Sequence, residues 1–161
     1  MSAGRQDLEQ GLGGMTFNLQ LVAILFTLLW ISSSASSLAD PPSKEDYIFD
    51  VVQKHPKIQE AWSWIVPPSF KKHNWLNDLT LATSGPFDRV ILSGRRFILG
   101  WACWPRNCGG NYIVFLIAID GSEAYGLLSS QGLNIAETLF GVPDKEKTVL
   151  MRRVLNDIYG E

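Results

Sequence analysis

Two apolar segments near the middle of the chain flank its only two cysteines. The first runs from Phe97 to Ala102 and the second from Tyr112 to Ile119. Short apolar runs bounded by turn residues are typical of strands, so the pattern predicts two strands joined by a short loop. Both segments are apolar at successive rather than alternate positions, which indicates that both faces of each strand are covered. Helices can cover one face; the other then needs loops, an N-terminal segment or a second subunit.

Shorter apolar stretches around this pair complete a predicted antiparallel meander. Ser93-Gly94 and Asp120-Gly121 have the composition of tight hairpin turns. The strands that these turns separate are 89–92, 95–102, 111–119 and 123–129. Leu79 and Leu81, on either side of Thr80, give a further strand signal, whereas 133–140 fits no single element.

Helical spacing of apolar residues predicts helices before and after the sheet. We expect a helix over about 44–54, ended by Pro56, and a short one over 58–65, stopped by Pro67-Pro68. A C-terminal helix starts at Pro143-Asp144 and packs on the sheet through one apolar face. That face comprises Val149, Leu150, Val154, Leu155 and Ile158. The fold class is therefore α+β, with a central antiparallel β-sheet flanked by helices.

Residues 69–77 are basic and aromatic and follow no periodic pattern. They include Lys71, Lys72, His73 and Trp75. Such a segment is either a binding surface or, more commonly, a solvated connection over the core.

The N-terminal region has the pattern of a secretory signal peptide. Leu19 to Ile31 is almost wholly apolar and is followed by small residues. Cleavage before Asp40 removes residues 1–39 and leaves 40–161 as a single domain; cleavage after Ala35 is an alternative. Arg5 is the only basic residue ahead of the apolar core, which keeps an uncleaved N-terminal anchor as a second interpretation. We expect an exported, periplasmic protein with no membrane contact after cleavage.

Charge and motifs exclude several functional classes. The formal net charge of the chain is −2, which gives no electrostatic basis for binding nucleic acid. No nucleophile elbow, phosphate loop or zinc-protease motif occurs, so we predict neither an enzyme nor a cofactor. His55 and His73 lie far from the cysteines without a ligand pair, so we predict no metal site. A thiol–disulfide exchange enzyme is the least favoured alternative, because the spacing is not Cys-x-x-Cys.

The strongest functional candidate is the segment between the cysteines. Export permits a disulfide between Cys103 and Cys108, and the closed loop would carry Trp104, Pro105, Arg106 and Asn107. A loop fixed in this way loses little further entropy on docking, so these four residues are candidate partner-binding residues. The alternatives are a purely structural cross-link, a Trp104 that folds back onto the hairpin, and an Arg106 that is an ordinary exposed turn residue.

This segment resembles the Ivy-type lysozyme inhibitor family. The matching features are Ala102-Cys103-x-Pro105-x-x-Cys108-Gly109 between two strands and the preceding Val90-x-Leu92-x-Gly94-x-x-Phe97. Ala61-Trp62, Gly126 to Ser130 and Gly141-x-Pro143-Asp144 are also similar to the family pattern. The resemblance extends over about 58–158.

The resemblance implies an exported inhibitor of C-type lysozyme or a related muramidase. In this family a disulfide-closed loop protrudes between two strands and plugs the active-site cleft, and the protein is often a homodimer. A loop histidine engages the catalytic acids of the enzyme. Here Arg106 stands at the place of that histidine and Asn107 at the place of an aspartate. The alternative is a periplasmic binding protein of the same fold that has lost lysozyme inhibition and recognises another cell-wall enzyme.

Overall fold

A computed structural model of the chain describes residues 47–160. The helices are α1 (Ile48–Lys54), α2 (Pro56–Ile65), α3 (Asn74–Asn77) and α4 (Lys145–Gly160), with 3-10 turns at Leu79–Leu81 and Gln131–Leu133. The strands are β1 (Thr83–Ser84), β2 (Asp88–Leu92), β3 (Arg95–Cys103), β4 (Asn111–Ala118), β5 (Ala124–Ser130) and β6 (Ile135–Phe140). The predicted α+β class, with a disulfide-closed loop between two strands, is confirmed. The predicted signal peptide, its cleavage site and the first turn of the first predicted helix lie outside the described residues.

The described strands form one antiparallel sheet that contains the predicted meander. Their order is β1-β3-β4-β5-β6, and β2 pairs with β3 on the same edge as β1. β3 and β4 are in register from Phe97 opposite Ala118 to Cys103 opposite Tyr112. The cysteine loop therefore lies at one end of the sheet, and the Asp120-Gly121 turn between β4 and β5 lies at the opposite end. Among residues 47–160, no helix combines the length and the apolar character needed to cross a bilayer.

Helices cover both faces of the central strands, which explains their unbroken apolar sequence. On one face Ile98, Ile113 and Phe115 pack in a core with residues of α1, α2 and α3. On the other face Leu99 and Leu116 pack in a second core with Met151 and Leu155 of α4. Of the three alternatives for covering the second face, namely loops, an N-terminal segment or a second subunit, the N-terminal segment applies: α1 and α2 cover one face and α4 covers the other. The possible homodimer stays a prediction.

The prediction of a strand at Leu79 and Leu81 was wrong, because these residues form a 3-10 turn. The Asp78 carboxylate accepts hydrogen bonds from the backbone N–H of Thr80 (2.9 Å) and from its hydroxyl (2.7 Å). A local bond of this kind offers the backbone an alternative to a sheet ladder. The stretch 133–140, to which the sequence assigned no single element, contains the last residue of the 3-10 turn Gln131–Leu133 and the edge strand β6.

The C-terminal helix packs on the sheet through most of the predicted face, because Leu150, Val154 and Ile158 are partly buried against the second core. Met151 and Leu155 are buried together with Lys147, whereas Val149 is 47% exposed. Lys147, Met151 and Leu155 are spaced four residues apart, so they lie on one face of the helix. Lys147 reaches back to the carboxylate of Asp144, and its Nζ lies 5.4 Å from the centre of the Tyr125 ring. An apolar count misses this position because the inward residue is a lysine.

Candidate functional site

A disulfide closes the loop between β3 and β4 at its base. Cys103 is the last residue of β3 and is fully buried, and its sulfur is bonded to that of Cys108, with the Cα atoms 5.0 Å apart. The strand therefore fixes one end of the loop, and the disulfide ties the other end to it. The predicted cross-link is confirmed.

The tip of the loop is a tight turn that holds Arg106 in an unusual conformation. The N–H of Asn107 donates to the carbonyl of Trp104 at 2.9 Å, which places Pro105 and Arg106 at the two central positions. Arg106 has φ 64°, in the left-handed region where glycine or asparagine is favoured. Arg106 and Asn107 are both exposed, and Pro105 is half-buried. The turn thus holds a cationic side chain at the surface in a conformation that costs about 1–2 kcal/mol for a residue with a Cβ.

A buried asparagine that sequence analysis missed holds this loop from below. Asn111 is 2% exposed, and its Nδ2 donates to the carbonyls of Asn107 (3.0 Å) and Gly109 (3.1 Å). Its Oδ1 accepts from the Ser130 hydroxyl (2.7 Å) and the Gly132 N–H (2.9 Å). One amide therefore uses both donor hydrogens and both acceptor lone pairs. The only sequence signal was a polar residue at the start of an otherwise apolar strand.

The 3-10 turn Gln131–Leu133 supports the loop from the side. The N–H of Gln131 donates to the carbonyl of Gly110 at 2.8 Å. Gly110 has φ 74°, and a Cβ there would lie 2.5 Å from the side chain of Gln131. A Cβ on Gly132 would lie 3.1 Å from the ring of Trp104. The two glycines allow the loop and this turn to approach each other closely.

Trp104 is half-buried and packs against the first core rather than standing free on the loop. Its ring stacks on Trp75 with a centroid distance of 6.2 Å and an interplanar angle of 17°, and His73 lies 6.4 Å away. Trp75 is 4% exposed, so the 69–77 stretch is not simply a solvated connection. Its basic part, Lys71 and Lys72, is exposed.

Helix α2 fixes the position of Trp75. The indole N–H of Trp62 donates to the carbonyl of Leu76 at 2.8 Å, and the side-chain amide of Gln59 donates to the carbonyl of Asn77 at 3.1 Å. These bonds hold α3 on the core, and α3 places Trp75 under Trp104. The loop is therefore continuous with the packed interior of the domain.

The carboxyl and phenol groups whose pKa values are shifted lie at the end of the sheet opposite to the loop, which we call the turn end. The hydrogen bonds from Ser122 hold the pKa of Asp120 below its usual value, and the side chain of Lys147 does the same for the pKa of Asp144. Burial, helped by a hydrogen bond to Glu123, raises the pKa of Tyr125 to about 12. Within residues 47–160 no three His, Cys, Asp or Glu side chains form a group that would hold a metal ion.

A second candidate surface, the Trp64 groove, lies at that opposite end. Trp64 is 80% exposed at the end of α2. The groove beside it is lined by Ala61, Ile65, the turn 121–125, Gly141 and Val142. No sequence pattern singled out this residue. Trp64 lies among the apolar residues of α2, and the sequence does not show that its side chain is outside the core.

Comparison with known proteins connects the chain to a lysozyme inhibitor over most of its length. No family model matches the sequence. The chain is 22% identical over 158 residues to the Inhibitor of vertebrate lysozyme of Pseudomonas aeruginosa, covering 91% of this chain and 97% of that protein. It is 26% identical over 111 residues to an uncharacterised protein of the same bacterium, covering 68% of this chain and 71% of the relative. The chain is thus similar, at low identity, to a protein named for inhibiting lysozyme.

Proposed function

We propose that this protein is an exported inhibitor of a C-type lysozyme or a related muramidase, and that the Cys103–Cys108 loop plugs the cleft of the enzyme. One observation carries the proposal: an exposed cationic residue, Arg106, sits at the tip of a loop whose backbone is fixed on every side. The disulfide fixes its base, Asn111 its underside and Trp104 its inner edge. The similarity to a named lysozyme inhibitor supports the same conclusion.

The chemistry of a lysozyme cleft suits this loop. Such a cleft contains a catalytic glutamate and a catalytic aspartate. A guanidinium is charged at every relevant pH and donates two parallel hydrogen bonds to a carboxylate. Arg106 would pair with these acids while the loop excludes the glycan, and Asn107 would add a neutral hydrogen bond. Because the loop is already ordered, little conformational entropy is lost on docking.

The proposed site of action is the periplasm, where disulfides form and persist. The protein would act by binding alone, without a cofactor, and any homodimer would leave the loop free for the enzyme.

Replacing Arg106 by asparagine tests the mechanism. Asparagine adopts the left-handed conformation readily, so Arg106→Asn removes the charge without straining the turn. The inhibition constant toward a C-type lysozyme should rise by about 30-fold, the effect of losing a charged pair in a buried interface. Arg153→Gln, which removes an exposed arginine from α4, should change it by less than about 2-fold. Equal inhibition by the native protein and Arg106→Asn would contradict the loop mechanism.

A second candidate function is recognition of another cell-wall enzyme by the same loop. The inward packing of Trp104 favours it, because the largest apolar side chain of the loop is turned toward Trp75 and only part of it can contact a partner. The same assay separates the two functions. If native protein does not inhibit any C-type lysozyme while it binds and inhibits a different peptidoglycan hydrolase through Arg106, the second function is correct.

A further inference from the structure

Several segments of the chain meet at the loop end of the sheet, among them the end of α4, where the Tyr159 hydroxyl donates to that of Ser129 at 3.0 Å, and three of them surround the loop. Residues 104–111 form the loop itself. Residues 67–77 reach it through the ring contacts of His73 and Trp75 with Trp104. Residues 129–136 reach it through the hydrogen bonds of Ser130 and Gly132 to Asn111. Together they form what we call the loop face.

The loop face is cationic although the chain as a whole is anionic. Its charged residues are Lys71, Lys72 and Arg106, all exposed; the acids that directly follow two of the segments, Asp78 and Glu137, bond to Thr80 and Arg152. Their formal charge is +3, against −2 for the whole sequence. Within the described part of the chain, none of the three cations takes part in an ion pair. Their charge is therefore available to a partner.

The segment that carries the two lysines packs beside the loop. Lys72 precedes His73, whose ring lies 6.4 Å from that of Trp104, and consecutive Cα atoms are about 3.8 Å apart. Charges interact appreciably within a Debye length of about 8 Å at physiological salt. A partner that receives the loop would thus bring its rim into the field of Lys71 and Lys72.

We propose that Lys71 and Lys72 form, with the loop, one docking surface for an enzyme whose cleft is bordered by an acidic rim. The proposal rests on the proposed function and deepens it, because it specifies the charge of the target outside its catalytic carboxylates. The loop supplies the blocking contact, and the two lysines steer the association and pair with the rim. Opposite charges in this arrangement raise the association rate and its dependence on salt.

The test compares one C-type lysozyme before and after succinylation, which converts its surface amines to carboxylates. Retained cleavage of a small soluble oligosaccharide checks that the modified enzyme is intact. The net charge of −2 predicts faster association with the unmodified, more positive enzyme, whereas the loop face predicts the reverse. We expect the native protein to associate about 10-fold faster with the succinylated enzyme at low salt, and the difference to disappear near about 0.5 M salt.

Two matched double variants locate the effect. Lys71→Glu/Lys72→Glu should abolish the preference for the succinylated enzyme. Lys57→Glu/Lys145→Glu changes the net charge equally at the opposite end of the sheet, in the first turns of α2 and α4, where glutamate is tolerated. This control should keep the preference, and thermal unfolding of both variants should confirm that they are folded.

The outcomes separate this proposal from the proposed function. If Arg106→Asn weakens binding to both forms of the enzyme while Lys71→Glu/Lys72→Glu has no effect, the acidic rim is wrong and the plug stands. If Arg106→Asn has no effect on either form, the plug itself is wrong. Equal effects of the two double variants would assign the preference to net charge and overturn the proposal. Binding of heparin at least as tightly as the succinylated enzyme would also overturn it, because an anionic polymer would then be the partner.

Discussion

The connections between neighbouring strands at the two ends of the sheet are held by different kinds of contact. At the turn end, β4 and β5 are joined by a short turn in which Asp120 accepts hydrogen bonds from the N–H and hydroxyl of Ser122, two residues away. At the loop end, β3 and β4 are joined by 104–110, and this segment is held both by its own residues and by contacts from distant parts of the chain. Asn111 bonds to Ser130 and Gly132, 19 and 21 residues away. The contacts of the first connection are exposed, whereas those of the second are partly buried and pass through Asn111 to distant parts of the chain.

The two tryptophans show the same difference. Trp104 is half-buried and stacked on Trp75, whereas Trp64 at the turn end is 80% exposed. The short connection is closed by hydrogen bonds among its own residues, and its distant partner Arg95 meets it at the exposed surface. A longer one stays in a single conformation only where buried groups from elsewhere bind it. At the loop end, buried contacts therefore hold the exposed loop in one conformation before any partner binds.

Loss of the Asn111 side chain should produce the largest difference between the two ends. Asn111→Ala leaves two carbonyls, a buried hydroxyl and a backbone N–H without their partner, so we expect the free energy of unfolding to fall by about 3 kcal/mol. Urea denaturation measures the change. Asp120→Ala, which removes the corresponding carboxylate from the exposed turn, should lower Tm by only about 2 °C or less. Similar losses at both ends would contradict the comparison.

The disulfide should give the second largest effect. The chain-entropy model for a ring of this size predicts that Cys103→Ala/Cys108→Ala lowers the free energy of unfolding by about 2 kcal/mol. Inhibition of the target enzyme should weaken as well, because the open loop must be ordered on binding. The denaturation midpoint of native protein with and without reductant checks the first expectation. The double alanine variant is the control, since its midpoint should not respond to reductant.

Exchanging each tryptophan for alanine compares the ends directly. Trp104→Ala removes a half-buried ring and its stacking on Trp75, which should cost about 1–2 kcal/mol of stability. Trp64→Ala removes an exposed ring, and the change should stay within about 0.5 kcal/mol. Chemical denaturation of the two variants side by side gives both values. A larger loss for Trp64→Ala would show that the turn end depends on packing as much as the loop end does.

The smallest effect is expected for the contact between Asp144 and Lys147 at the start of α4. The Lys147 side chain and backbone N–H hydrogen-bond to Asp144, and they hold its pKa below the unfolded value of about 3.9. A lowered folded-state pKa stabilises the protein above that value, and the contribution is lost as pH falls through the folded pKa. Asp144→Asn should therefore lower Tm by a few degrees at pH 7, and the difference in Tm should become smaller at pH 2. Thermal unfolding at both pH values measures this, with the exposed Asp157→Asn on the same helix as control.

Sequence patterns predicted the elements that are determined by residues close together in the chain. The apolar runs gave β3 and β4, Asp120-Gly121 gave the turn between β4 and β5, and Pro143-Asp144 gave the start of α4. The strand expected at Leu79 failed because the side-chain hydrogen bonds of Asp78 outweighed a short alternation of apolar residues. The face of α4 was predicted correctly at Leu150, Val154, Leu155 and Ile158, but the prediction included the exposed Val149 and omitted Met151 and Lys147.

The candidate site divides along the same line. The sequence by itself indicated that the two cysteines can close a short loop between two strands and that Trp104, Pro105, Arg106 and Asn107 lie between them. Only the tertiary structure decided that Trp104 turns inward, that Arg106 occupies a left-handed position and that His73, next to Lys72 in the chain, lies against Trp104. The physical reason is that these features depend on Trp75, Ser130 and Gly132. Those residues are remote in the chain, and only the packing of two cores around one sheet brings them together.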